Sequence, residues 1–106
     1  MIDAEFFITR DGQLRGFHIS GHSMYADSGQ DVICAFVSSA AYMAANTITD
    51  IIHADAVAEA EDGDMYVMVA KKDIPLCRDI LAGLKLHLIN TEEQYSDYLK
   101  VNYTEV

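Results

Sequence analysis

His22 and Cys34 are the two side chains of this sequence whose types and spacing best suit covalent chemistry. Both lie in the stretch 21–39, which reads GHSMYADSGQDVICAFVSS. Nucleophilic catalysis by a thiol needs a base within hydrogen-bond reach and surroundings that favour the thiolate. We therefore predict that Cys34 is a nucleophile and that His22 is its general base. The structural alternative makes Cys34 a small buried apolar residue and His22 a surface histidine at the end of a strand.

Asp31 stands shortly before Cys34 and is predicted to be the N-cap of a helix, which places Cys34 in the first helical turn. The positive end of a helix, together with a cationic histidine, can lower a cysteine pKa from about 8.5 into the ~3.5–7.5 range. As a cap, the Asp31 carboxylate would accept the backbone N–H of Cys34. As a third catalytic group, it would instead orient the His22 ring. Both roles stay open at this point.

Ser38 and Gly29 are the further candidates for supporting the site. Ser38 follows Cys34 by one helical turn, so its hydroxyl could line the same pocket or bond the carbonyl one turn back. Gly29 could let backbone N–H groups approach a substrate carbonyl, or it could serve only a turn. The loop 23–30 is long and polar for a strand-to-helix connection, and we expect it to act as a lid.

No metal site and no cofactor is predicted. The histidines and cysteines show none of the paired ligand spacings of known zinc sites, such as C-x-x-C or H-E-x-x-H. The acidic segment 59–64 lacks the EF-hand pattern and is interpreted as a solvated surface. The two cysteines are expected to be reduced thiols, although the sequence leaves a Cys34–Cys77 disulfide open.

The composition indicates one globular domain over residues 1–106, because 51% of the residues are hydrophobic. A formal net charge of -10 disfavours direct binding of nucleic acid and favours a basic protein partner. We recognise no signal peptide, and the apolar runs are interpreted as too short and interrupted to cross a membrane. The expected location is therefore the cytoplasm.

Hydrophobic periodicity predicts seven elements in the order strand-strand-helix-strand-strand-helix-strand. Asp11-Gly12 and Asp62-Gly63 are predicted to be the turns of two hairpins, and Asp73 with Pro75 is predicted to begin the second helix. Cys77 falls on the apolar stripe of that helix and is predicted to be core. The predicted elements are strands at 2–9, 14–21, 54–61, 65–71 and 98–106, with helices at 32–52 and from 73 towards 95. The expected fold is a two-layer α+β domain with a mainly antiparallel sheet.

Several of these residues together resemble the ribosomal-processing cysteine protease family, Prp. The resemblance lies in the Gly21-His22 pair, the G-x-D of residues 29–31, the VICA of residues 32–35, and Ser38. It implies an endopeptidase that removes a short N-terminal extension from large-ribosomal-subunit protein twenty-seven, with His22 as base and Cys34 as nucleophile. It also implies a homodimer and a mobile loop over the site. Leu86 and Ile89, off the main stripe of the second helix, are predicted to belong to an exposed patch.

The sequence departs from the family's usual pattern at Ser23, where alanine is common, and at Phe36, where a small residue is common. Phe36 is expected to alter helix packing or to narrow the substrate groove. The competing function is a non-catalytic acidic adaptor that binds a basic ribosomal or regulatory protein. A reactive thiol would distinguish the protease from the adaptor.

Overall fold

The computed structural model of the chain describes residues 1–21, 28–61 and 63–106, and within 28–31 it describes the backbone alone. Five strands and two long helices follow one another in the predicted order. Their bounds are β1 (Ile2–Ile8), β2 (Leu14–Ser20), α1 (Ser28–Asn46), β3 (Ala56–Glu61), β4 (Asp64–Val69), α2 (Ile74–Gln94) and β5 (Leu99–Glu105). A π-helical turn at Thr47–Ile51 extends α1, and a 3₁₀ turn at Lys71–Asp73 leads into α2. The α+β prediction is confirmed.

The five strands form one sheet in the order β3-β4-β2-β1-β5. Three neighbouring pairs are antiparallel, and β5 lies parallel to β1 because α2 carries the chain across before it. The second hairpin pairs Glu61 with Asp64, as the short-turn prediction requires. The connection between β1 and β2 is longer than the predicted two-residue turn. Its closing hydrogen bond, from the Thr9 N–H to the Gln13 carbonyl at 2.8 Å, encloses residues 10–12. Gly12 occupies its left-handed position, with φ +87°.

Both helices pack on the same face of the sheet and enclose a single core. Alternate strand residues point into this core, and each helix contributes one apolar row. The buried members are Ile2, Ala4, Phe6, Phe17, Ile19, Met65, Val67, Val69 and Leu99 from strands, and Ile33, Cys34, Val37, Ala41, Ala44, Ile48, Cys77, Leu81, Leu84 and Leu88 from helical segments. The predicted core position of Cys77 is confirmed.

The other face of the sheet, which we call the open face, is covered by neither helix in the described part of the chain. The strand register aligns its side chains in three rows across the sheet. These rows are Glu61, Asp64, Ser20, Asp3 and Lys100, then Glu59, Tyr66, His18, Glu5 and Asn102, and then Val57, Met68, Gly16, Phe7 and Thr104. The open face therefore mixes carboxylates with a small apolar centre.

Helix α1 begins at Ser28, earlier than predicted. The prediction that Asp31 is the N-cap is therefore wrong, because Asp31 already lies within the helix. Cys34 accordingly falls in the second turn, beyond the unpaired N–H groups of the helix start. Aspartate is favoured in the first helical turn as well as at the N-cap, because its carboxylate interacts with the positive end of the helix. Its residue type therefore does not distinguish the two positions.

Helix α1 and its π-helical extension contain an apolar segment that is long enough to cross a membrane. The expectation that every apolar run is too short for this is therefore wrong. The segment Val32–Ile51 has 20 residues and a mean hydropathy of 1.4, which meets the length and composition of a membrane span. One row of its side chains is nevertheless packed into the core against the sheet. Burial in the protein core accounts for the same apolar composition.

Helix α2 begins after Asp73, as predicted, but the Asp73 side chain does not cap it. Its carboxylate instead accepts the backbone N–H of Asp55 at 2.8 Å. This hydrogen bond, helped by nearby Lys72, holds the pKa of Asp73 below its ordinary value of 3.8. Asp73 therefore ties the start of α2 to the chain that enters β3.

Candidate active site

Cys34 lies in the wall of a cleft between α1 and the β3–β4 hairpin. The cleft has a volume of about 490 Å³, and the Cys34 side chain is 7% exposed. Its lining residues are Ile2, Ile19, Ser20, Cys34, Ala35, Val37, Ser38, Ala41, Tyr42, Ala60, Glu61, Gly63, Asp64 and Met65. A thiol that is largely shielded yet borders a cleft of this size is placed to meet a bound molecule.

Ser38 and Tyr42 continue along the α1 face that carries Cys34. The three residues are spaced four apart, so they lie one above another on the helix. Ser38 is exposed, Tyr42 is 49% exposed, and both line the cleft. The structure thus brings two of the five predicted site residues to one cavity.

Of the other three predicted site residues, His22 lies outside the described residues, and so does the side chain of Asp31. The backbone of Gly29 and Asp31 lies in the first turn of α1. The predicted lid 23–30 falls in the same part of the chain. Its last three residues, 28–30, belong to α1 rather than to a loop, and the lid itself stays a prediction.

Gly21 has a structural role that the sequence reasoning missed. It ends the described chain after β2 with φ +98°, a conformation that residues with a Cβ rarely adopt. A Cβ built on Gly21 would lie 2.2 Å from the carbonyl oxygen of Met1. The position of Gly21 directly after a strand is the sequence feature that indicates such a turn.

The cleft continues past Tyr42 as a second, smaller hollow of about 170 Å³. Tyr42, Ala60 and Met65 line both parts, and Ala58 lines the second. On β3 the residues that face the helices are alanines, and their small side chains leave the floor of the groove open. A groove of this form suits an extended peptide. The sequence periodicity predicts β3, but it does not indicate that α1 leaves part of β3 uncovered.

The cleft ends at the β3–β4 turn, beside two acidic residues whose side chains lie on the other face of the sheet. Glu61 and Asp64 both line the cleft, so the acidic segment interpreted as a solvated surface also borders the site. Asp64 Oδ1 lies 2.7 Å from His18 Nε2, and His18 Nδ1 lies 4.0 Å from a Glu5 oxygen. Within the described residues, no three histidine, cysteine or acidic side chains are grouped to hold a metal ion.

Phe36 does not line the cleft. Its ring stacks on His87 of α2, with the ring centroids 4.9 Å apart and the planes inclined by 20°. Of the two effects expected for this unusual residue, the structure therefore supports a change in helix packing.

The two cysteines are free thiols in different surroundings, which removes the disulfide alternative. Cys77 is 0% exposed within the core. Burial, and then the negative charge of Asp73, raise the pKa of Cys77 above its ordinary value. A thiol held neutral in this way is a poor nucleophile, so Cys34 is the cysteine available to a substrate.

A two-layer α+β fold with a cysteine beside a peptide-sized groove defines a candidate thiol hydrolase. The family described as "Cysteine protease Prp" matches residues 1–100, and this chain belongs to that family. The chain is therefore a cysteine protease, and the family resemblance of the sequence is confirmed.

Individual relatives match over nearly the whole chain. The ribosomal processing cysteine protease Prp of Bacillus subtilis is 26% identical over 107 residues, covering 95% of this chain and 96% of the relative. A crystal structure of the essential Staphylococcus aureus protease Prp with a substrate peptide superposes with a TM-score of 0.88 at 20% identity. It covers 98% of this chain and 100% of that one. A second S. aureus structure, with a covalently linked product peptide, superposes with a TM-score of 0.84 at 21% identity. The superposition covers 98% of this chain and 100% of that chain.

Proposed function

We propose that this chain is a cysteine endopeptidase that removes the short N-terminal extension of large-ribosomal-subunit protein twenty-seven. The observation that carries the proposal is the Cys34 thiol in the wall of a groove in a chain of the Prp family. Relatives named ribosomal processing proteases support the substrate class. The groove's alanine-lined floor supports an extended segment as the part of the substrate that is bound.

In the first half of the proposed reaction, His22 takes the proton from the Cys34 thiol, and the sulfur attacks the carbonyl carbon of the scissile peptide bond. The carbonyl oxygen becomes an oxyanion while the new C–S bond forms. Collapse of this tetrahedral intermediate breaks the C–N bond, and the leaving amine takes the proton from the His22 imidazolium. The products of this half are a free C-terminal fragment and a thioester on Cys34.

In the second half, His22 removes a proton from water, and the resulting hydroxide attacks the thioester carbonyl. The C–S bond then breaks, and the proton returns to the sulfur, so the enzyme is regenerated without any external oxidant or reductant. Ser38, in the same cleft wall, is assigned a hydrogen bond to the substrate or the sulfur. Asp31 is assigned the orientation of His22, and Gly29 the close approach of backbone N–H groups.

We further propose that the protein acts in the cytoplasm as a homodimer, with no direct contact to nucleic acid or membrane. Exposed apolar side chains of the two helices form a surface suited to self-association, and we call this surface the helical face. It comprises Val32, Phe36, Met43 and Leu86, each at least 48% exposed. Exposed apolar side chains on two neighbouring helices are a common feature of protein interfaces. Leu86, predicted for such a patch, is 61% exposed, whereas Ile89 is half-buried.

The decisive experiment is incubation of the purified chain with protein twenty-seven in its extended form, followed by mass spectrometry of the products. We expect one cut that releases the extension. Cys34→Ala and His22→Ala should each abolish the cut, because they remove the nucleophile and the base. Cys77→Ala is the matched control, since it deletes the other thiol and should leave cleavage in place.

Two results would overturn the proposal. Cleavage by Cys34→Ala at the normal rate would exclude this nucleophile. Tight binding of the extended protein by the unaltered chain without any cleavage would favour the acidic adaptor instead. Circular dichroism of each variant separates loss of the fold from loss of chemistry.

A further inference from the structure

We propose that the open face of the sheet is an exosite that binds a basic segment of the substrate downstream of the cut. This inference rests on the proposed function, because it concerns where the body of the same substrate goes. It concerns a surface on the opposite side of the sheet from the helices. This surface is negatively charged, borders the cleft and has an aromatic centre.

The open face carries strong negative charge. Five carboxylates lie in two adjacent rows of the register, and Lys100 stands at the end of one of these rows. The five are Asp3, Glu5, Glu59, Glu61 and Asp64. Carboxylates concentrated on one surface raise the local concentration of cationic partners and increase the rate at which they associate.

The acidic rows are continuous with the active-site cleft. Ser20, Glu61 and Asp64 have side chains on the open face and also line the cleft that contains Cys34. A polypeptide that leaves the cleft at this end of the sheet therefore meets the open face directly. Because the proposed cut removes an N-terminal extension, the body of the ribosomal protein follows the cut, and we assign its first segment to this end of the cleft.

The centre of the open face suits lysine and arginine side chains in particular. Tyr66 packs against Phe7, with ring centroids 5.5 Å apart, and Tyr66 lies between Glu59 and His18 in its row. An aromatic ring beside carboxylates can bind a cation through both its π face and the neighbouring charges. The aliphatic stems of lysine and arginine can also cover the apolar centre.

The charge of the open face selects one occupant among the alternatives. A second copy of the chain would bring five carboxylates against five more on a protein of net charge -10, and nucleic acid would bring phosphates. Both contacts are repulsive. A protein that binds ribosomal RNA must carry many lysines and arginines to neutralise phosphates, so its body is the complementary partner.

The test uses three peptides that share the same cleavable segment from the extended protein twenty-seven. One ends shortly after the cut, one continues with four lysines, and one continues with four glutamines. We expect the lysine tail to lower KM several-fold relative to the glutamine tail at low ionic strength. The difference should shrink towards one in about 0.5 M salt, where exposed charges are screened. The kcat should change little, because the tail does not touch the reacting atoms.

Asp3→Asn with Glu5→Gln is the test variant, because both residues lie on the open face and outside the cleft lining. Glutamine can still accept the hydrogen bond that Thr104 donates to Glu5. Asp79→Asn with Glu93→Gln is the matched control, since it removes the same charge from exposed positions of α2. We expect only the open-face variant to reduce the preference for the lysine tail, by roughly two- to tenfold. Both variants should cut the untailed peptide at the normal rate.

Equal KM values for the lysine and glutamine tails would overturn the exosite, as would an equal loss of preference in the two double variants. The same outcomes leave the proposed function intact if the untailed peptide is cut. Binding of the fluorescent lysine-tailed peptide to Cys34→Ala, read by anisotropy, tests the surface independently of cleavage. If no peptide is cut but this binding depends on Asp3 and Glu5, the protease proposal fails and the surface stands.

Discussion

Cys34 and Cys77 show how one residue type acquires two roles from its surroundings. Both are buried by area, but Cys34 borders the cleft and Cys77 is enclosed by the core. The predicted core position of Cys77, on a helical stripe, is confirmed, and the nucleophilic role of Cys34, near a helix start, stays a prediction. The sequence interpretation placed that start too late, so the reactivity of Cys34 depends on the cleft and the predicted His22 base more than on the first-turn N–H groups.

We expect iodoacetamide to alkylate Cys34 much faster than Cys77 in the folded protein near neutral pH. The physical reason is access combined with the raised pKa of Cys77, whose thiol stays neutral and enclosed. Peptide mapping by mass spectrometry at timed intervals gives both rates. Equal, slow labelling of the two cysteines would contradict the proposed nucleophile, and equal rates in denaturant provide the control.

A second prediction concerns Gly21, the residue before the proposed base. Gly21→Ala should destabilise the protein by about 1–3 kcal/mol, because alanine meets both a positive φ and a contact of 2.2 Å with Met1. Cleavage should also fall, since the strain lies next to His22. Gly83→Ala is the control, because a Cβ there meets nothing within 4 Å. That change should stabilise α2 by about 0.5–1 kcal/mol in urea unfolding.

At the scale of elements, the sequence predicted the order and type of all seven segments, because each has a clear apolar period. Boundaries were less well specified. Asp31 is typical of an N-cap but lies inside α1, which begins at Ser28. His53, with φ +58°, ends the π-helical extension without the glycine that usually marks such a stop. The strand register was predicted at Gly63, which lies in a short turn, but not at Gly12, which lies within the longer connection 9–13.

The link between α2 and the entry to β3 should depend on pH through Asp73. The folded pKa of Asp73 lies below its unfolded value of about 3.8, so the unfolded chain binds more protons in this range. The stabilisation is present above 3.8 and is lost as pH falls through the lower folded value. Asp73→Asn should therefore be less stable than the unaltered chain at pH 6, and the difference should shrink towards pH 3. A constant difference in urea midpoint over this range would contradict the role of the carboxylate, and Asp79→Asn is the exposed control.

At the scale of the whole molecule, the surfaces that would present a substrate to the predicted site residues could not be predicted from the sequence. The four-residue spacing correctly predicted that Ser38 lies on the same side of α1 as Cys34. The groove over Ala58 and Ala60 depends on how far α1 lies from the sheet edge, which no local pattern encodes. The open face likewise arises only when distant strands are aligned, because Asp3 and Glu61 share a row that crosses four strands.

The last prediction concerns the homodimer and assigns it to the helical face. Phe36 and Leu86 are 48% and 61% exposed, and burying such side chains against a second copy contributes about 25 cal/mol per Å² of apolar area. Phe36→Glu with Leu86→Glu should therefore yield a monomer, because each glutamate would be buried without a partner in the dimer. Light scattering after size exclusion at micromolar concentration measures the mass.

Val57→Glu is the matched control for this test, because it also places a glutamate at an apolar residue that is 52% exposed, but on the open face. It should leave the dimer intact, since charge repulsion already keeps a second copy away from that face. If Val57→Glu produced the monomer and the helical variant stayed dimeric, the two surfaces would have exchanged roles. The dimer interface would then be the sheet, and the helical face would be left for another partner.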